Sequence, residues 1–272
     1  MTIIAATILY NPSAEDCTRL TKIAQSIPTI CWANSNVDSE SLLSGNLRVI
    51  NPGESVNHGL AFGINMISAF IKKTYQDNII ITLLDQDTLI SSEQIFELAN
   101  GLANQSSKYS CYVSPAILGS SNQPWISWFS ITNGLTLYSY DLDKIAPLPR
   151  ILMADGVDIL ICDRLKSIRI SQYVLKELII PHNVGAGIKE HILPDVLQSL
   201  KKRRYIRKKY FYHATLRRNL MKFHSYGYLA LRANVPTVWI FRKICIMLLF
   251  MMTNPPLLTL RSFIRGVYAK PF

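Results

Sequence analysis

The last 77 residues of this chain, 196–272, contain no aspartate and no glutamate, yet they hold 16 Lys and Arg. Carboxylate chemistry therefore belongs to residues 1–195, which carry 18 acids against 13 Lys and Arg. The net charge of +11 is thus the property of a tail, and it points to an anionic partner: membrane phospholipid, a diphosphate-linked substrate or nucleic acid. Cysteine is sparse as well. Cys17, Cys31, Cys111, Cys162 and Cys245 form no CxxC pair and no metal spacing, which fits a reducing cytosol with thiols serving as small core residues. Residues Met1–Thr7 lack a basic leader, so they read as a first strand and not as a signal peptide. Long apolar runs are missing too. Val235–Thr253 is interrupted by Arg242 and Lys243, and the ten residues Ile244–Thr253 fall short of the ~20 that a membrane-crossing helix needs. No internal repeat and no low-complexity linker is present. With 49% hydrophobic and only 17% charged residues, the chain is rich for a soluble enzyme and suits a membrane surface or a large interface.

What is there begins with Ile79-Ile80-Ile81-Thr82-Leu83-Leu84-Asp85-Gln86-Asp87-Thr88. The unbroken apolar run reads as a strand buried on both faces, as in parallel sheets. It ends in two carboxylates, at the strand end where open α/β sheets bind ligands. Asp85 and Asp87 could meet one Mg²⁺ or Mn²⁺ that neutralises a diphosphate. Alternatively this is a polar strand end, with Asp87 or Thr88 capping a helix that begins near Ser91-Ser92-Glu93.

Strand and helix signals alternate around this segment. Strands are expected at Thr2–Tyr10, Thr29–Trp32, Leu47–Ile50 and Cys111–Leu118, and helices at Ala14–Gln25, Val56–Tyr75 and Ser92–Asn104. Further along, Ile131–Tyr140 reads as a strand interrupted by Asn133-Gly134, Ala154–Ile168 as a helix, and Val174–Ile180 as a last strand. The expected fold is an α/β, doubly wound mixed sheet over residues 1–195, followed by a basic helical extension over 196–272. Trp125 and Trp128, in an aromatic loop, could stack on a sugar, although burial is the commoner fate of Trp. Asn57, Gly59 and Asn65 lie near a helix start suited to phosphate or ribose contacts, with ordinary capping as the competing role.

Several segments, in order, resemble family 2 glycosyltransferases of the GT-A fold, and within them bacterial rhamnosyltransferases. Ala5–Pro12 resembles the first strand and T-Y-N-P turn that cradles the nucleotide base. Asn57–Asn65 is similar to the N-x-G-x-A-x-x-x-N segment, and Leu83–Thr88 to the L-D-Q-D-S form of the D-x-D motif. Asn133-Gly134 stands at a Ser-Gly position. Asp155–Arg164 resembles the segment that carries the catalytic base. His182 and Gly185 match a late His-x-x-Gly, and Arg218-Asn219 an Arg-Asn pair. Two departures stand out. Ala33 occupies the place of an Asp that ends the second strand, leaving Asn34 as the candidate substitute, and Leu160-Ile161 replaces Glu-Trp.

The resemblance implies an inverting transfer from a nucleotide sugar, dTDP-rhamnose being favoured over hexosyl or galactofuranosyl donors. Thr7, Tyr10, Asn11, Asn34, Asn57, Gly59, Asn65 and Asp85 would line the donor. Asp87 is the first choice as metal ligand, with Asp85, and His182 as third ligand or diphosphate partner. Asp158 would be the base; Asp155 suits a helix cap. Trp125, Trp128, Asn133 and Arg164 would face the acceptor, with a surface ion pair as the other role for Arg164. The implied acceptor is a glycan on a polyprenyl diphosphate, which places the enzyme peripherally at the cytoplasmic face of the inner membrane. The tail fits that placement. Lys201–Lys209 carries seven cations in nine positions, and Arg261 and Arg265 lie four apart in a short amphipathic stretch, as in interfacial helices. A nucleic-acid-binding protein would explain the cationic run but not the strand-end carboxylates, and no nucleic-acid partner is expected. An inactive GT-A scaffold is the other alternative.

Overall fold

The apolar run at 79–84 becomes β4 (Ile80–Leu84), with no residue more than 3% exposed. Such a strand must be covered on both faces, each buried aliphatic side chain contributing ~1.5–3 kcal/mol. The computed structural model describes residues 1–37, 45–51, 53, 56–75, 79–108, 110–118, 124–125, 130–153, 156–181, 216–251 and 256–269. The chain divides into two units: Met1–Arg150 with Val157–Asn183, and Ile151–Gly156 with Val184–Phe272. The boundary expected at 195/196 lies outside the described residues.

The first unit runs β1 (Ile3–Leu9), α1 (Ala14–Ala24), β2 (Thr29–Ala33), β3 (Leu47–Ile50), α2 (Leu60–Thr74), β4, α3 (Ser92–Ser106), β5 (Cys111–Leu118), β6 (Pro124–Trp125), β7 (Leu135–Tyr138), α4 (Ser139–Ile145), α5 (Val157–Ser167) and β8 (Ser171–Pro181). Among the described residues the sheet has eight strands in the order β3-β2-β1-β4-β7-β5-β6, with β8 paired to β5. The pairs β1–β2, β2–β3, β1–β4 and β5–β8 are parallel. β7 is antiparallel to both β4 and β5, and β6 is antiparallel to β5. The chain winds outward from β1 to β3, then returns to lay β4 on the other side of β1. That reversal leaves a crevice between the carboxyl ends of β1 and β4, the place where open α/β sheets take their ligands.

Helices cover both faces. On one, Cys17 and Leu20 of α1 join Leu9, Cys31 and Ala33, and Ile95, Leu98 and Leu102 of α3 join Ala5, Ile80 and Leu84. On the other, α2 lies so close that a Cβ on Gly63 would sit 2.6 Å from Ile8 Cγ1. Capping boxes start α1 (Ser13 with Asp16) and α3 (Ser91 with Gln94).

The structure moves some expected boundaries. The helix expected from Val56 starts at Leu60, because Gly59 has φ 89° and its N–H donates to Asn57 Oδ1 at 2.8 Å. The strand expected over Ile131–Tyr140 is confined to β7. Gly134, with φ 90°, turns the chain before it, and α4 begins at Ser139. α5 begins at Val157 and not Ala154, and β8 starts three residues earlier than Val174, in parallel register with β5.

The second unit contains α6 (Leu216–Arg232), α7 (Thr237–Met251) and α8 (Pro256–Tyr268). Phe223, Met247 and Phe250 form its buried centre, with Tyr226, Ile246 and Phe263 against it. No helix among the described residues is long and apolar enough to cross a membrane. The cationic run 201–209 lies outside the described residues.

Gly134 combines two constraints: its positive φ, and a Cβ that would meet Pro115 Cγ at 2.9 Å. Gly134→Ala is expected to cost about 1–3 kcal/mol of unfolding free energy. Gly63→Ala is also expected to destabilise, since a Cβ there would meet Ile8 at 2.6 Å and Trp32 at 3.0 Å, and roughly 1 kcal/mol of helix propensity offsets only part of that overlap. Urea denaturation reads both; an unchanged Gly134→Ala variant would refute the strain at 134.

Candidate active site at the ends of β1 and β4

β1 delivers Thr7, Tyr10 and Asn11 to the crevice. Thr7 is fully buried, paired in register with Cys31 and Leu84, and its hydroxyl has no hydrogen-bond partner among the described residues. Asn11 takes the left-handed conformation at φ 46°, which Asn tolerates, and its N–H donates to Ser35 Oγ at 2.8 Å. The Tyr10 side chain is thereby left 50% exposed beside the strand ends. Gln86, between the two carboxylates, holds this turn in place. Its Oε1 accepts from Tyr10 N–H at 2.7 Å, and its Nε2 donates to Tyr10 C=O at 3.2 Å. Arg19 of α1 donates to Gln86 C=O at 3.0 Å and to Asp16 Oδ1 at 3.2 Å. Gln86 and Arg19 were not among the expected site residues. The Gln was visible in the motif, but its main-chain partner 76 residues away was not.

Asp85 is half-buried, and its Oδ1 accepts from Thr132 Oγ1 at 2.7 Å; Asp87 is exposed on the following turn. Because Ser91 caps α3, neither Asp87 nor Thr88 is spent on capping that helix. Thr132 reaches Asp85 because β7 is antiparallel to β4. The start of β7 therefore lies beside the end of β4, and Gly134 N–H donates to Leu83 C=O at 2.9 Å. Asn133, 2% exposed, sits at the same corner.

The next strand end is tied in by Asn34. This buried amide accepts from Trp32 Nε1 at 3.2 Å and donates to Gly59 C=O at 3.1 Å, joining β2 to the loop before α2. Asn57 braces the same loop. Asn65 pairs with the main chain of Leu148 in both directions, at 2.8 and 2.7 Å, so its amide holds the segment after α4.

Asp158 lies half-buried in the first turn of α5, and its Oδ1 accepts from Ile159 N–H at 2.8 Å. One turn on, Cys162 fixes α5 to the segment before β7. Its sulfur accepts from Ser130 N–H at 3.3 Å and its thiol donates to Ser130 C=O at 3.5 Å. Ser130 is two residues from Thr132, so one short segment carries contacts to both the Asp158 helix and Asp85. Burial pushes the Cys162 thiol up to about 12, despite hydrogen bonds from Tyr112 and Ser130. Arg164 donates to the carbonyls of Ile145 and Pro147, at 2.8 Å to the latter, and so braces the turn after α4. Of Trp125 only the backbone is described, in register with Ile117; Trp128, Asp155 and His182 lie outside the described residues.

Among the described residues no three His, Cys, Asp or Glu side chains form a metal-binding group. Two oxygen donors nevertheless fit a Mg²⁺-type ion, which is usually held by one or two carboxylates with phosphate and water completing its shell. One oxygen of Asp85 is engaged by Thr132, which fixes how the carboxylate is presented.

No family profile matches this sequence, and no curated protein does. Among solved structures, S. aureus TarS 1–349 is similar at a TM-score of 0.50 and 14% identity, over 98% of this chain and 89% of that one. That likeness speaks for the fold and bears out the expected GT-A type of mixed α/β architecture. A structure described as a nucleotide-diphospho-sugar transferase from Desulfovibrio desulfuricans G20 aligns at a TM-score of 0.35 and 10% identity, over 64% of this chain and 80% of that one, a likeness too slight to add weight.

Burial makes a thiol test available. Cys17, Cys31, Cys111 and Cys162 are buried and Cys245 is partly exposed; burial also drives the Cys31 thiol up to about 12. Since the thiolate is the reactive form, one thiol per native chain is expected to react with a disulfide reagent at pH 8, and all five after denaturation. Rapid labelling of Cys162 in the native protein would contradict the packing of α5 against Ser130.

Proposed function

We propose that this protein is an inverting glycosyltransferase. It moves a sugar from a nucleotide-diphosphate donor, L-rhamnose from dTDP-rhamnose in the first instance, onto a polyprenyl-diphosphate-linked glycan. The setting is bacterial O-antigen or cell-surface polysaccharide synthesis, with the enzyme peripheral at the cytoplasmic face of the inner membrane. The observation that carries the reading is the pair Asp85 and Asp87 at the carboxyl end of β4. They stand at the reversal of the sheet, with Asp85 oriented by Thr132 and with the Tyr10 turn pinned beside them by Gln86.

In this reading the exposed ring of Tyr10 stacks on the base, while Asn11 and the loop braced by Asn34 and Asn57 border the ribose and phosphates. Asp85 and Asp87 would hold Mg²⁺ or Mn²⁺, which when bound offsets the charge gathering on the departing diphosphate. Asp158 takes the proton from the acceptor hydroxyl as that oxygen attacks the anomeric carbon. The bond from the anomeric carbon to the diphosphate breaks as the new glycosidic bond forms. The nucleoside diphosphate leaves, and a single displacement inverts the centre. Asp158 lies in the first turn of α5, where the helix dipole favours negative charge.

Calorimetry with dTDP-rhamnose and UDP-sugars, with and without Mg²⁺ or Mn²⁺, tests the site. Metal-dependent binding is expected, falling at least about tenfold in Asp87→Ala. Asp158→Asn should retain binding yet lower transfer by about 10²–10⁴-fold. Binding of no nucleotide sugar would refute the transferase and favour a scaffold.

A further inference from the structure

The second unit buries Phe223, Met247 and Phe250 at its centre, yet its last two helices leave other large apolar side chains outside. α8 buries Thr259 completely and Gly266 beside it, while Leu257 on its opposite face is 80% exposed. Leu260, Ile264 and Tyr268 continue that outward stripe at helical spacing. The contact between α6 and α8 is made by small residues. A Cβ on Gly227 would fall 2.1 Å from Phe263 C=O, and one on Gly266 1.8 Å from His224 C=O, so the two backbones touch. Ser262 Oγ adds a hydrogen bond to Leu220 C=O, and Arg232 donates to Val267 C=O at 2.8 Å. At this one contact, small side chains and polar links lie inside and large aliphatic side chains outside, as between helices in contact with lipid.

α7 also carries an outward apolar face, although its inward residues are large. It sends Met247 and Phe250 inward, yet Val238, Phe241 and Leu248 project from its other side, Phe241 with 67% of its surface exposed. The cations divide accordingly. Lys243 turns inward over the rings of Tyr226 and Trp239, whereas Arg242, Arg261 and Arg265 are exposed. No acidic side chain occurs anywhere in residues 196–272 to neutralise them.

We propose that the outward faces of α7 and α8 dock on an anionic phospholipid surface. Their apolar side chains enter the acyl boundary while Arg242, Arg261 and Arg265 meet lipid phosphates. A second copy of this chain is a poor occupant, since it would oppose one acid-free cationic face with another. The proposal deepens the lipid-linked reading of the acceptor, because it brings the chain to the surface that such an acceptor occupies.

The test is co-sedimentation of the full chain with vesicles of phosphatidylcholine, alone or mixed with phosphatidylglycerol. Wild type should bind the mixed vesicles, and Phe241→Glu with Ile264→Glu should weaken that binding at least about tenfold. Arg261→Gln with Arg265→Gln should lower it about thirtyfold at low salt without changing the weak binding to phosphatidylcholine alone. Unchanged binding of the Phe241/Ile264 variant would show that residues 201–209 suffice and would overturn the proposal. So would a wild-type dimer that the same substitutions dissociate. Nucleotide-sugar binding, measured without vesicles on the same proteins, is independent. Its retention in the variants shows that they are folded, and its absence in wild type would sink the transferase reading while leaving the lipid result to stand.

Discussion

Hydrogen bonding of β4 to β1 on one edge and to β7 on the other, in opposite senses, decides where the polar groups of this protein meet. The parallel partner brings the end of β1 to the end of β4, so the Tyr10 turn and the two carboxylates become neighbours. The antiparallel partner brings the beginning of a strand to that same point, so Thr132 and Asn133 arrive beside Asp85. A wholly parallel sheet would put the start of β7 at the opposite edge, and Asp85 would lose the hydroxyl that orients it. The fully buried β4 anchors the arrangement, because an apolar strand of this kind has no stable position at a sheet edge.

Much of this was legible in the sequence. The run Ile79–Leu84 carries its own evidence of double-sided burial, and α3 begins at Ser92 as expected, although Ser91 and not Asp87 or Thr88 caps it. Other features were not legible, for physical reasons. The bonds from Gln86 to Tyr10 and from Thr132 to Asp85 span 76 and 47 residues, and local pattern has no access to such distances. The helix start at Leu60 was displaced by the backbone of Gly59, whose positive φ outweighs the apolar periodicity that seemed to begin at Val56. Asn65 and Arg164 have the residue types of a binding site, yet in the structure they bond to main-chain groups of the segment following α4. The composition of a polar residue cannot say whether its partner is a ligand or the chain itself.

The two units differ in what they leave outside. The sheet unit hides large aliphatic side chains and leaves polar ones outside, the arrangement that water enforces. The helical unit also buries Phe223, Met247 and Phe250, but it places Gly and Ser between α6 and α8 and leaves Leu and Ile outward on α8. The absence of acid in the tail, an oddity of composition when met in the sequence, becomes intelligible beside those faces. In the proposed docking, carboxylates there would repel the lipid phosphates that the arginines meet.

The clamp made by Gln86 grips only the main chain of Tyr10, leaving the phenol ring outside the bond. Residue 10 can therefore change its side chain without loosening the turn that displays it, since every residue except proline offers the same N–H and C=O. Scaffold and display are thereby separated at a single position. In the proposed transferase, a lineage built on this clamp would be free to exchange one ligand preference for another by substitutions at residue 10, with no repair needed in the sheet behind it.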